Sequence, residues 1–367
     1  MIIHVRYAIM VAAINVAGGV SPAADIGPIA SYRALQSNII SPAPDRLSIM
    51  TYNIKGLPWP IAQGRAQAID EIGDRLRIAR KQGNQPHVIM LQEAFGDTAQ
   101  HIASRAGYRF VALGPDEAEQ ARYSFNARMP RDWSRGENIG KSLNSGLAIL
   151  SDFPLSDVRT LAFGDQACAG FDCLANKGVM KATRDMPGNV APVQLFNTHL
   201  NSRKASGVEI GRANRAFRRQ LMAAARFVDE IADPVLPMVF AGDFNIGKDE
   251  DRRTIFASLS TSGRLPAFVA LEKASGNHVV SARLLDDRRQ RDDMTATVRR
   301  SKDLIFADPA LKPVAAHVPF GIEADGSSLS DHVGYQIDYA LPPERRTAAA
   351  YLAANAADNP FQGGSRR

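Results

Sequence analysis

The chain has 367 residues, 45% of them hydrophobic and 22% charged, with a formal charge of +6 at pH 7. That balance excludes a chain that is disordered throughout and supplies apolar material for a sizeable core. The basic excess collects in Arg-rich stretches at 212–226 and 283–300; it favours anionic partners without naming one, and solvated helix faces are the ordinary account of each stretch.

In chain order, residues 1–23 hold one Arg, an apolar run from Tyr7 to Val20 and a small-residue end at Ser21–Ala24. This is the pattern of a secretory signal peptide, cut near Ala23 or Ala24, with 24–46 as a linker. No other segment approaches ~18 uninterrupted apolar residues, so a permanent membrane anchor is not expected. Residues 47–54 (LSIMTYNI) read as a strand closed by the turn residues GLPWP. Apolar residues recur at helical spacing over 61–82, and Gly-Asn-Gln-Pro then ends the helix before a buried strand at 87–92. Further strands are predicted at 109–113, 145–150, 158–163, 178–183, 192–198, 236–241, 302–307 and 333–340, with helices at 98–106, 209–232 and 251–260. Many short strands with few helices between them predict an α/β fold: a four-layered sandwich of two mostly antiparallel sheets flanked by helices, over 47–342. An Ala-rich tail, 343–367, follows.

Polar groups stand just past the buried runs. Asn53 and Glu93 end the first two strands, His199 ends PVQLFNTH, and Asp243 and Asn245 follow LPMVFA; Asp303 opens KDLIFA, and Asp331-His332 precede the last strand. Taken singly, each has an ordinary account as a turn residue or a satisfied sheet-edge group. Together they predict one rim on which a rigid scaffold gathers carboxylates, amides and imidazoles. Glu93 with Asn53 offers the oxygen donors that suit a hard cation, Mg²⁺ first and Mn²⁺ second, and the lack of a Cys/His cluster argues against structural zinc. His332 beside Asp331 has the make-up of a general base. Asp243 and Asn245 are placed to orient a water and hold a phosphoryl oxygen, and His199 to donate to an oxygen of the same group. The expected reaction is metal-assisted hydrolysis of a phosphoester.

The ordered set TYNIKGLP, IMLQEAF, NSGLAILSDFPL, FNTHLNS, AGDFNI, SKDLIFAD and LSDHVGYQI resembles the endonuclease/exonuclease/phosphatase superfamily, with its deoxyribonuclease I-like fold, across 47–340. The resemblance implies metal-site roles for Asn53 and Glu93 and a phosphate-side role for His199. It implies positioning of water and phosphate by Asp243 and Asn245, an acidic role for Asp303, and a final acid and base pair in Asp331 and His332. Three stretches are similar to the neutral sphingomyelinase branch: NIKGLPWP, in which Lys55 stands where Trp is common, LQEAFGD, and DCLANKGV, whose Asp172 and Lys177 match that branch's Asp-to-Lys loop. The likeness implies a monomeric enzyme acting on a phospholipid at a membrane surface, sphingomyelin giving ceramide and phosphocholine. A secreted nuclease acting on nucleic acid, a phosphoinositide phosphatase and an inactive anion-binding relative remain the alternatives. Segment 263–281 is the candidate for an apolar docking element, although a buried strand or helix is its ordinary account. Cys168 and Cys173 would form a local disulfide in an exported protein and two free thiols in a cytosolic one.

Overall fold

Each sheet is built around one parallel βαβ unit, and that repetition decides where the chemistry collects. The computed structural model describes residues 46–58, 61–125, 131–185, 192–261, 285 and 287–341. The expected signal peptide, the linker up to residue 45, the Ala-rich tail and all of 263–281 lie outside the described residues. Strand β1 (Arg46–Asn53) leads through helix α1 (Arg65–Lys81) to β2 (Val88–Gln92), which lies parallel to β1 with Asn53 opposite Gln92. Helix α2 (Thr98–Ala106), β3 (Phe110–Leu113) and β4 (Ala148–Ser151) follow. The second sheet runs through β5 (Leu155–Ala162), β6 (Gly178–Arg184) and β7 (Val193–His199), then α3 (Ile210–Ile231) to β8 (Met238–Asp243). Strand β8 is parallel to β7 with His199 opposite Asp243. After α4 (Glu250–Thr261) and α5 (Arg288–Arg300), β9 (Asp303–Ala307) closes that sheet, while β10 (Lys312–Phe320) and β11 (Gly334–Ala340) return to the first.

The strand orders are β10-β11-β1-β2-β4-β3 and β5-β6-β7-β8-β9, every neighbouring pair antiparallel except β1/β2 and β7/β8. Alternation along the strands sorts three cores. Leu47, Ile49, Val88 and Met90 of the first sheet meet Leu195, Val239 and Ile305 of the second in a core between the sheets. Met50, Tyr52, Ile89 and Leu91 point the other way, onto Ile72 and Leu76 of α1 and Ile102 of α2. Phe196 and Phe240 meet Phe217 and Leu221 of α3 on the outer face of the second sheet. The result is the expected four-layered α/β sandwich. Asn197 crosses between the sheets, donating to the Leu91 and Ala148 carbonyls and accepting from Gln92, so it is a buried tie and not a rim group.

Two elements escape the strand and helix patterns. Strand β10 sits at the sheet edge with two prolines and two register shifts, which break its alternation. Helix α5 reads as a charged patch because it packs through few residues, Met294 being buried while Gln290 and Asp293 accept from the Val318 and Ile322 N–H groups.

Candidate active site

Because carboxyl ends of parallel neighbours finish together, β1/β2 deliver Asn53 and Glu93 and β7/β8 deliver His199 and Asp243 to one end of the sandwich. Two glycines allow the close approach. A side chain at Gly56 would place its Cβ 2.3 Å from the Glu93 carbonyl oxygen, and one at Gly242 would lie 2.0 Å from the Thr198 carbonyl oxygen. Lys55, Glu93 and Asn245 all take left-handed backbone (φ 51°, 55° and 50°), a strained choice for non-glycine residues and one that concentrates at working sites.

Asn53 Nδ2 donates to Glu93 Oε1 at 3.0 Å and to Asp243 Oδ2 at 3.1 Å, while its Oδ1 accepts from the Lys55 N–H. The amide therefore bridges two carboxylates as a donor and positions Glu93. Glu93 stays 19% exposed, and burial raises its pKa despite the Asn53 hydrogen bond and the Lys177 charge. Asp243 Oδ1 accepts from the Asn245 N–H, and Oδ2 faces His199 Nε2 at 3.6 Å and His332 Nε2 at 3.8 Å. Asn245 turns its amide to the Leu200 carbonyl.

His332 is oriented by Asp303, whose two oxygens lie 2.9 and 2.8 Å from Nδ1. The adjacent Asp331, expected as its partner, is 61% exposed and pairs with Lys55 at 3.5 Å. Chain neighbours at the start of a strand point apart, whereas the β8/β9 register sets Asp303 opposite Asp243, beneath the imidazole. Burial alone would lower the pKa of His332, but the charges of Asp303 and Asp243 overcome it and hold the imidazolium up to about 9. His199 behaves oppositely: burial first, then the Lys177 charge, depress it to about 3.

The Asp172–Lys177 loop reaches this site. Lys177 Nζ lies 2.5 Å from Asp172 Oδ1 and 3.1 Å from His199 Nε2, and it donates to the Leu200 carbonyl. Asp172 Oδ2 accepts from the N–H and hydroxyl of Ser202. A Cys168–Cys173 disulfide closes the loop. Sequence reasoning missed the supports: Arg252, fully buried, donates to the carbonyls of Asn201 and Asn245, Ser330 donates to the Asn53 carbonyl, and Arg65 binds the carbonyls of Ile54 and Leu329. Arg252 and Arg65 stand in none of the quoted motifs, and Ser330 stands in LSDHVGYQI without a role legible there, because each acts on backbone brought near only by folding.

The donor set fits a hard divalent cation. Glu93 and Asp243 present carboxylate oxygens at a partly open position, and the raised pKa of Glu93 is that of a buried acid short of positive charge. Asp243, Asp303 and His332 also bring one ligand atom each within 4.8 Å of the others, with Nδ1 of His332 engaged by Asp303.

The two histidines contribute opposite limbs to the pH response of the metal-free fold. Below about pH 6.5 the unfolded chain protonates His199 and the native state does not, so stability falls as pH drops toward about 3. Above about pH 6.5 the native state keeps the His332 proton that the unfolded chain has lost, so stability falls as pH rises toward about 9. Urea unfolding in EDTA is expected to show greatest stability near pH 6.5, each of these histidines contributing a slope of up to about 1.4 kcal/mol per pH unit, and His87, lowered to about 4 chiefly by burial, steepening the acid limb further. A stability still rising between pH 7 and 9 would contradict the assigned proton.

Sphingomyelinases of Mycobacterium tuberculosis and Mycobacterium bovis are 25% identical over 228 residues, 61% of this chain, which spans 39% of their length. A crystal structure of beta toxin from Staphylococcus aureus with bound magnesium ions matches 80% of the chain and 99% of its own, at 16% identity and a TM-score of 0.53. Sphingomyelinase C from Streptomyces griseocarneus matches 80% and 99%, at 19% identity and a TM-score of 0.52. At these identities the structural likeness is one of fold. The sequence model described as "Endonuclease/Exonuclease/phosphatase family" matches residues 50–332, from within β1 to His332. The chain belongs to the endonuclease/exonuclease/phosphatase family.

Proposed function

We propose that the chain is a divalent-metal-dependent phosphodiesterase of phospholipids, with sphingomyelin as substrate and ceramide and phosphocholine as products. One observation carries the hydrolytic reading: the Asp303-oriented His332 with Nε2 turned toward Asp243, beside the open carboxylate of Glu93. Both cysteines are consumed in the disulfide, so neither offers a thiolate nucleophile. A water oriented by Asp243 is the attacking group. His332 Nε2 takes its proton as the new P–O bond forms, and Asp303 stabilises the imidazolium. The ester bond to ceramide then breaks, and its alkoxide is protonated by solvent. His199, held neutral, accepts from Lys177 at Nε2, which fixes its ring on the phosphate side of the site. Glu93, positioned by Asn53, would hold Mg²⁺, which supplies neutralisation of the charge on the phosphoryl group.

The sphingomyelin assignment is supported by the names of the curated relatives, and by the Asp172–Lys177 pair standing against His199. A nuclease reading is favoured by the exposed arginines of α3, Arg215, Arg218 and Arg226. The test is a panel of sphingomyelin, phosphatidylcholine, plasmid DNA and inositol phosphates, with Mg²⁺ or EDTA. Phosphocholine release from sphingomyelin, lost in EDTA, is the expected result; DNA cleavage by a protein inert on vesicles would replace this reading with the nuclease one. Export is part of the proposal, since the disulfide suits an oxidising compartment. A mature protein that still begins at Met1 would remove it.

A further inference from the structure

Large apolar side chains normally leave the surface, yet three stand out beside the catalytic rim. Trp133 is 76% exposed, Ile139 59% and Ile210 41%. The segment bearing the first two is not loose. Asp132 Oδ1 accepts from the N–H of Ser134 and caps the short turn Trp133–Arg135. Glu137, fully buried, latches the segment to the site: it accepts from the N–H groups of Asp132 and Gly170 and binds Arg212 of α3 with both oxygens at 2.6 Å. Gly170 opens the loop that carries Asp172, and Ile210 stands two residues before Arg212. Arg135 lies over the ring of Phe171, the residue preceding Asp172. The exposed apolar groups are thus fixed to the frame that holds Asp172, Lys177 and His199.

The charge around them is positive. Arg135, Lys204 and Arg215 are exposed and make no ion pair among the described residues. Arg131 and Arg215 are close enough to Arg219 to add to the lowering of its pKa that burial begins. The acids nearby are Asp132 and Glu137, engaged as above, Asp165, which pairs with Lys141, and Glu209, which caps α3. Trp is the side chain that prefers a boundary between water and hydrocarbon, and cations beside it complement anionic headgroups.

We propose that Trp133, Ile139 and Ile210, ringed by Arg135, Lys204 and Arg215, form the surface by which this chain docks on an anionic lipid bilayer. The inference deepens the phospholipid reading given above and rests on it for the choice of a lipid over a nucleic acid. Aliphatic Ile139 and Ile210 add to burial in a bilayer but offer no face on which a base stacks. Docking there would turn the Asp172–Lys177 loop toward the headgroups and supply the substrate without a spanning segment; among the described residues no helix is long and apolar enough to cross a membrane.

The test separates binding from turnover. The full chain is sedimented in EDTA with phosphatidylcholine vesicles, with and without phosphatidylglycerol, and its tryptophan fluorescence is read against brominated lipid. The expected results are stronger binding with phosphatidylglycerol, weakened by salt, and quenching that disappears in Trp133→Phe. Trp133→Ala with Ile139→Ser should weaken vesicle binding by about tenfold or more, while hydrolysis of soluble bis(p-nitrophenyl) phosphate stays at the wild-type rate. Arg135→Glu with Lys204→Glu should remove the phosphatidylglycerol increment alone. Equal binding by the Trp133 variant, or quenching by a single-stranded oligonucleotide without vesicle binding, would overturn the docking surface. Vesicle binding without phosphocholine release would leave it standing and sink the sphingomyelin assignment instead.

Discussion

His332→Ala is expected to lower kcat on a phosphodiester by about 10²–10⁴-fold, the range for loss of a positioned general base. His332 is the imidazole whose Nδ1 is fixed by Asp303 and whose Nε2 is free to face the Asp243 side of the rim. The base must be neutral to act, so log kcat/KM should rise with pH until His332 has lost its proton. Asp303 is the larger of the two charges that hold that proton on, so Asp303→Asn should move the acid limb to lower pH as well as slow the reaction. A purely structural role for Asp303 would leave the limb where it is. Because removal of the imidazole leaves a buried carboxylate, His332→Gln with its thermal unfolding measured in parallel is the companion variant. Wild-type turnover in either folded variant would end the assignment of His332 as base.

Lys177→Met is expected to act on both stability and rate. Its ammonium is buried and joins Asp172, His199 and the Leu200 carbonyl, so removal strands the Asp172 carboxylate with only Ser202 as donor. Breaking a buried pair from one side costs about 3–5 kcal/mol, which urea unfolding would read directly. Adding Asp172→Asn should recover part of that loss, because the stranded charge goes with it. Turnover should fall in both variants, since neither fixes the His199 ring. A Lys177→Met protein that unfolds within about 1 kcal/mol of wild type and hydrolyses sphingomyelin normally would return 171–180 to the status of an ordinary charged loop.

The sequence by itself determined much of the molecule, because its signals are local. Alternating and continuous apolar runs located ten of the described strands, and polar residues at the ends of those runs gave Asn53, Glu93, His199, Asp243, Asn245, Asp303 and His332 as candidates. Strand β10 and helix α5 were not legible, since an edge strand with two prolines and a helix with one buried methionine carry weak periodicity. Partnership was decided only by the tertiary structure. Adjacency suggested Asp331 for His332, but the β8/β9 register supplies Asp303; nothing in the sequence showed that the Asn53 amide spans Glu93 and Asp243. Arg252, Ser330 and Glu137 bind backbone groups from distant segments, and no spacing along the chain encodes such contacts. Residue chemistry is written locally, whereas which charge faces which imidazole depends on strand pairing and on the packing of the two sheets, as where Asn53 of β1 meets Asp243 of β8, 190 residues away on the other sheet.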